Sequence, residues 1–248
     1  MAPLLELNNV NYSYHTLDGE TKALQNISLA VEKGEFVSIV GPSGCGKSTL
    51  LSLIAGLIKP ESGSIIINGS NIGYMLQKDH LFEWCNIYKN VTLGLEIQHK
   101  LNKTNKEKVD NMLNTYGLNG FKYSRPSELS GGMRQRAALI RTLALDPDIL
   151  LLDEPFSALD YQTRLEVCDD ISFIIKKERK TAILVTHDLS EAIATGDKVI
   201  ILSKRPGTVK KIVPVNLSVE NRTPFSSRNA PEFKSYFNLI WKELTSYG

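Results

Sequence analysis

Four short runs of the chain, Phe36 to Val40, Ile149 to Leu152, Ala182 to Val185 and Val199 to Leu202, are nearly continuous in apolar residues. Strands covered on both faces read this way, because neither side meets water. Helical segments separate them. One runs from Lys47 to about Ile58, another from about Asp160 to Lys177, with Leu165, Cys168, Ile171 and Ile175 along one side. Strands alternating with helices predict an α/β fold with a mainly parallel sheet and helices on both faces. A different pattern precedes it. Ile27, Leu29 and Val31 alternate with polar residues before Lys33-Gly34, as in a half-buried strand at a sheet edge. Ile65, Ile66 and Ile67 run into Asn68-Gly69, a hairpin turn signal. The N-terminal part is therefore expected to form an antiparallel β-subdomain.

Between residues 80 and 145 the strand runs stop. Val109, Met112, Leu113 and Tyr116 recur at helical spacing, with Gly117 just past the end as a C-cap. This stretch reads as an α-helical subdomain inserted into the α/β core, which takes 1–79 and 146–215. From about Asn216 a short tail carries Pro224, Ser226, Ser227 and Pro231, then an amphipathic segment around Phe233 to Leu244. The whole is expected to be one domain.

Composition narrows the partners. Across 248 residues, 29 Lys and Arg nearly balance 27 Asp and Glu, and a net charge of +2 gives no general reason to expect nucleic acid. The cluster Lys176, Lys177, Arg179, Lys180 reads as a solvated last helical turn, where cations complement the helix dipole. No apolar run approaches the ~18 residues of a membrane span, and the N-terminus lacks the pattern of a signal peptide. Cys45, Cys85 and Cys168 have no metal-ligand spacing and fit a reducing compartment.

Gly41-Pro42-Ser43-Gly44-Cys45-Gly46-Lys47-Ser48 has the form GxxxxGK[ST] and lies between a strand and a helix, where that form is meaningful. A chance match in a chain this long has odds of roughly 1 in 100. Glycines let the backbone wrap a polyphosphate and aim N–H groups at it from the positive end of the next helix. Lys47 adds a point charge on the β and γ phosphates, and Ser48 an oxygen for Mg²⁺. Cys45 inside the loop is expected to make the activity sensitive to thiol alkylation, with bound nucleotide protecting it. Asp153 and Glu154 emerge from Ile149 to Leu152 at the C-terminal edge of the sheet, where ligands of open α/β sheets bind. Asp153 suits a metal, and Glu154 suits orientation or deprotonation of a water; the alternative, two acids merely capping the next segment, recedes beside the phosphate loop. His187 also follows a strand. Alone it would read as structural, but beside a phosphate site its ring N–H can reach the γ-phosphate.

Leu129-Ser130-Gly131-Gly132-Met133-Arg134-Gln135-Arg136 opens another helical stretch, with Ser130 as N-cap and backbone N–H groups left for an anion. One nucleotide has no obvious use for a second anion site, unless that site serves another subunit. This segment, ahead of ILLLDEP and SALD, resembles the ATP-binding subunits of ABC transporters.

The resemblance implies an ATPase with a P-loop NTPase core, ATP and Mg²⁺ as ligands, and a head-to-tail dimer around two ATP. Each ATP is held by Gly41 to Thr49 of one copy and Ser130, Gly131 and Gly132 of the other. It further implies that Tyr14 stacks on adenine (or is a surface strand aromatic), that Gln77 links Mg²⁺ and water to the helical subdomain, and that Ser157 to Asp160 forms the loop after the carboxylates. Lys47, Gln77, Glu154 and His187 are then the catalytic set. Ser48, Gln77 and Asp153 hold the metal, and Asp160 joins the nucleotide contacts. Leu202 to Val209 is similar to a segment of the nitrate, sulfonate and taurine importer ATPases, as is Trp84, unless Trp84 is a core aromatic. Glu83 departs from the usual proline. The implied partners are a second copy, an integral membrane permease and indirectly a solute-binding protein. The implied location is the inner face of the cell membrane, peripheral from the cytoplasm. Alternatives are an ABC ATPase of another transporter class, a soluble non-transport ABC ATPase, or a small P-loop kinase, against which Leu129 to Arg136 argues.

Overall fold

A computed structural model describes residues 2–17, 19–69, 71–220 and 222–246. The chain begins with strands β1 (Leu5–Thr16) and β2 (Gly19–Val31), paired antiparallel from Leu5↔Val31 to Thr16↔Gly19. Strand β3 (Phe36–Val40) feeds helix α1 (Lys47–Ile54), and β4 (Ser62–Ile67) then returns to the free side of β1, antiparallel. Strand β5 (Ile72–Met75) precedes the helices α2 (Ile87–Ile97), α3 (Lys103–Thr115) and α4 (Gly131–Leu143). Next come β6 (Ile149–Asp153), α5 (Tyr161–Lys177), β7 (Thr181–Val185), α6 (Leu189–Thr195), β8 (Lys198–Leu202) and β9 (Val209–Pro214). The helices α7 (Pro224–Arg228) and α8 (Phe233–Thr245) follow.

Two sheets result, with strand orders β2-β1-β4 and β5-β6-β7-β3-β8-β9. In the second, every neighbouring pair is parallel except β8 and β9. The apolar runs of β3, β6, β7 and β8 form its centre, and side chains along each alternate between two cores. Leu150 and Leu152 join the layer built by α2 to α5, whereas Ile149 and Leu151 join the layer under α1 and the antiparallel sheet. Strands with both faces covered have no position where an unpaired polar residue is cheap, which explains their near-continuous hydrophobicity; the buried exception within the runs, Ser38 of β3, faces Thr195 Oγ1 at 3.4 Å. Val199 and Ile201 of β8 face a third cluster closed by α6 and by Ile240 of α8, so the amphipathic tail segment packs on the sheet.

Asn68-Gly69 does not close a hairpin. The strand before it pairs with β1, and the strand after it joins the other sheet. A tight hairpin turn needs left-handed backbone. Neither residue adopts it. Asn68 instead donates its backbone N–H to Leu4 O at 2.8 Å and its side-chain amide to Pro3 O at 2.7 Å, ending the β1–β4 ladder. Helix α1 also stops short of Ile58, because Gly56 at φ +71° turns the chain left-handed just beyond its C-cap. Trp84 is 75% exposed, its ring 4.8 Å from that of Phe82, and so is not a core aromatic.

Asn90 on α2 is fully buried and fixes the approach to the helical stretch. Its Oδ1 accepts from Phe82 N at 2.7 Å, while its Nδ2 donates to the carbonyls of Phe82, Cys85 and Asn86. Asn90→Ala strands these backbone groups and should cost about 2–3 kcal/mol of stability. Denaturant unfolding of the variant checks this.

Candidate active site

The sheet topology delivers the chemistry. Strands β5, β6, β7 and β3 are adjacent and point the same way, so the segments leaving their C-terminal ends emerge along one edge. Those segments carry Gln77, the Asp153-Glu154 pair, His187 and the loop from Gly41 to Ser48. Residues far apart in the chain thus become neighbours.

The loop wraps into α1 with Gly46 at φ +103°, where a Cβ would lie 2.7 Å from Leu24 Cδ2. Lys47 is buried, its ammonium donating to the loop's own Gly41 and Pro42 carbonyls at 2.9 and 3.2 Å. Ser48 Oγ donates to Asp153 Oδ1 at 3.2 Å, and the Tyr74 hydroxyl donates to Asp153 Oδ2 at 3.4 Å. Asp153 is 8% exposed. Burial raises its carboxyl above the ordinary aspartate value and the neighbouring Glu154 charge adds to this, against the lowering effect of the Ser48 hydroxyl. Tyr74 is pushed up to about 12, by burial first and then by Asp153.

Glu154 sits at φ +45°, its N–H donating to Val185 O at 2.8 Å, a strained backbone that aims the carboxylate away from the strand. Its Oε2 accepts from Gln77 Nε2 at 3.4 Å and lies 3.2 Å from His187 Nδ1. Gln77 Nε2 also donates to Ser157 Oγ at 3.2 Å. With its N–H₂ group committed to Glu154 and Ser157, Gln77 keeps its carbonyl oxygen for a cation. Tyr14 caps the other end, partly exposed and bonded through its hydroxyl to Thr49 Oγ1 at 2.9 Å. A cavity of about 610 Å³ runs between these groups, lined by residues that include Tyr14, Ser43, Lys47, Thr49, Glu154 and His187.

Other residues of the expected site stand elsewhere. Ser130 caps α4 by accepting from Met133 N at 3.3 Å, Asp160 caps α5 by accepting from Thr163 N at 3.1 Å, and neither lines the cavity. Gly131 faces a different hollow, beside Lys78 and Leu159. Cys45 is 1% exposed with its Sγ against Gly41, and burial raises its thiol pKa. Ready alkylation of Cys45 is therefore not supported, since a reagent needs an accessible thiolate. Four side chains had no role assigned from the sequence. Tyr74 holds the second oxygen of Asp153. Arg134 reaches Asp79 at 3.1 Å while Arg141 donates to the Asp79 and His80 carbonyls, tying the segment after Gln77 to α4. Arg205 lines the cavity.

This edge resembles a nucleotide site in its parts, and comparison with known proteins decides the matter. Residues 24–157 match the family described as ABC transporter. The chain belongs to the ABC transporter ATPases. It is 47% identical to the uncharacterized ABC transporter ATP-binding protein YtlC of Bacillus subtilis, over 98% of this chain and 96% of that protein. It is 39% identical to the aliphatic sulfonates import ATP-binding protein SsuB of Bacillus cereus, over 98% and 96%. Its fold matches a dimeric post-hydrolysis state of the ATP-binding cassette MJ0796 bound to ADP and Pi, with TM-score 0.73 and 31% identity, covering 86% of this chain and 99% of that one. This chain is thus an ATP-binding, ATP-hydrolysing protein. Among its described residues no helix is long and apolar enough to cross a membrane.

Two outcomes follow from burial. Asp153→Asn removes a buried charge, and the new amide can accept from one of the Ser48 and Tyr74 hydroxyls through its carbonyl and donate to the other through its N–H₂, so the nucleotide-free variant should melt no lower than the parent and up to a few degrees higher. In a thiol titration of native protein, Cys85 alone should react, with Cys45 and Cys168 reacting only after denaturation.

Proposed function

We propose that this chain is the ATPase subunit of an importer, pairing head to tail with a second copy around two ATP molecules and driving solute uptake through a separate integral membrane permease. The observation that carries the reading is the Glu154 carboxylate, set beside the phosphate loop with Gln77 and His187 on one of its oxygens.

Gly41, Pro42, Ser43, Gly44, Cys45, Gly46, Lys47, Ser48 and Thr49 cradle the phosphates, Cys45 through its backbone N–H and not its thiol. Lys47 exchanges two neutral carbonyl partners for the β and γ phosphates, a gain because a charge-assisted bond to an anion is stronger. Tyr14 offers its ring to adenine. Ser48 Oγ, the Asp153 oxygen it meets and the Gln77 carbonyl are hard oxygen donors of the kind Mg²⁺ takes, and they would hold it. Held by these residues, Mg²⁺ would supply charge neutralisation for the nucleotide phosphates. Among the described residues no cluster of three His, Cys, Asp or Glu forms a metal cage, and Mg²⁺ between nucleotide phosphates needs none.

Glu154 orients the attacking water and accepts its proton, and Gln77 and His187 hold that carboxylate in place. His187 keeps a second ring nitrogen for the γ-phosphate. The hydrogen-bonding groups at Ser130, Gly131, Gly132 and Asp160 point to a role across the dimer, since they lie off the cavity of their own copy. Catalysis is positioning and charge stabilisation more than covalent chemistry. Differential binding makes it a motor: ATP favours the closed pair and its hydrolysis reopens it.

The sulfonate-importing relative supports a small nitrate-, sulfonate- or taurine-like solute, delivered by a solute-binding protein outside the membrane. The chain then works from the cytoplasm, peripheral on the inner face of the cell membrane, without nucleic acid.

Glu154→Gln should bind ATP, lose about 10²–10⁴-fold of steady-state hydrolysis and accumulate as a dimer in light scattering with ATP. Turnover near the parent's would overturn the assignment. For the transport role, a purified complex with the permease should hydrolyse ATP faster when sulfonate-loaded binding protein is added.

A further inference from the structure

The chain from Ser203 to Thr208 is built as a rigid turn with no part in the chemistry described so far. Ser203 Oγ accepts from both Thr208 N and Thr208 Oγ1 at 2.9 Å and donates to the Lys204 and Pro206 carbonyls. Gly207 is seated directly on the phosphate loop: a Cβ there would fall 2.2 Å from the Cys45 carbonyl oxygen. Its N–H donates to Ala23 O and its carbonyl accepts from Gln25 N, both at 2.9 Å, which pins the turn to β2. The seat at Gly207 lies two residues from Arg205 and fixes where that side chain begins.

Arg205 reaches back over the loop. Its Nε donates to the Gly44 carbonyl at 3.2 Å, and its side chain lines the same cavity as Lys47 and Ser43. Among the described residues it forms no ion pair, and its one hydrogen bond uses a neutral acceptor. A guanidinium carries five N–H donors in a planar fork suited to phosphate oxygens, so most of its capacity is unspent. Lys47 is also without a carboxylate partner within ion-pair distance. Lys47, which feels the Asp153 charge without a direct ion pair, and Arg205, which has no ion pair, face one cavity above the N-terminus of α1, and this positive wall suits an anion.

We infer that Arg205 is a nucleotide-binding residue, its guanidinium contacting the polyphosphate of ATP at the Gly44 turn of the loop. The contact to Gly44 O sets the distance from the loop backbone, and the remaining N–H groups face the ligand. Charge at this point discriminates ATP from adenosine, because only the former brings phosphates to it. The inference rests on the reading of Gly41 to Thr49 as the phosphate cradle.

The test is calorimetric or competitive measurement of ATP and adenosine affinity for the full chain and three variants. Arg205→Gln can still donate to Gly44 O but carries no charge. It should weaken ATP about tenfold at low salt, leave adenosine unchanged, and show a smaller loss as ionic strength rises. Arg205→Lys, which restores the charge, should recover most of the affinity. ATP affinity of Arg205→Gln within twofold of the parent overturns the inference, as does an equal loss for ATP and adenosine, which would mean that Arg205 only shapes the loop. Lys47→Ala separates the two levels of the reading. If it abolishes ATP binding while Arg205→Gln does not weaken it, the inference alone fails; if it binds ATP normally, the assignment of the phosphate cradle fails.

Discussion

Parallel pairing of five adjacent strands is the constraint from which the rest follows. Each of β5, β6, β7, β3 and β8 must return to the same end of the sheet before the next begins, which needs a crossover and therefore covering layers on both faces. The covering layers make the strand interiors almost entirely hydrophobic. The common direction gathers their C-terminal ends, and the polar residues excluded from the strand interiors collect there. Ser48 and Asp153, 105 positions apart in sequence, meet at 3.2 Å for that reason. The site is a consequence of how the sheet is wound as much as of which residues occupy it.

Gathering acids and cations at one edge has an electrostatic cost that the site distributes unevenly. Asp153 is buried and held by two hydroxyls, which favour its charge but do not cancel it. Glu154 beside it raises the cost further. Lys47 meanwhile spends its hydrogen bonds on neutral carbonyls and acts on Asp153 only through its charge. Each group is satisfied enough to stay folded and unsatisfied enough to prefer a ligand. A bound phosphate would supply an anionic partner for Lys47, and in the proposed site a metal cation would supply one for Asp153.

Much of this was legible in the sequence, and what was not shares a physical cause. The runs from Phe36 to Val40 and Ile149 to Leu152 announced buried strands because burial on both faces leaves a one-dimensional mark. The loop around Lys47 was equally plain, since its glycines answer a local backbone demand. Asn68-Gly69 misled because its conformation is decided by which strand lies alongside: β1, some sixty residues earlier, captured β4. Cys45 lay within a phosphate loop by position, yet its side chain turned inward, a direction that spacing does not encode. Arg205 lies in a segment marked as family-like, but its place over Gly44 depends on Gly207 meeting the Cys45 carbonyl, a long-range contact that no local pattern records.

The pair Gly131-Gly132 carries two demands at once. Within this chain a Cβ on Gly131 would lie 2.9 Å from Leu159 Cδ2, and one on Gly132 would lie 2.7 Å from Val167 Cγ2. Close packing of α4 on the segment after Glu154 and on α5 therefore already requires small residues here. That same packing fixes the N-terminus of α4 relative to Glu154, while Arg134 and Arg141 bind the other flank to the segment after Gln77. A ligand engaging α4 from outside would thus press on a helix coupled by short contacts to both sides of the carboxylate cluster. In the proposed dimer, a second copy's ATP at the N-terminus of α4 would therefore act on a helix tied by packing and by the Arg134 and Arg141 hydrogen bonds to the segments that carry Gln77 and Glu154.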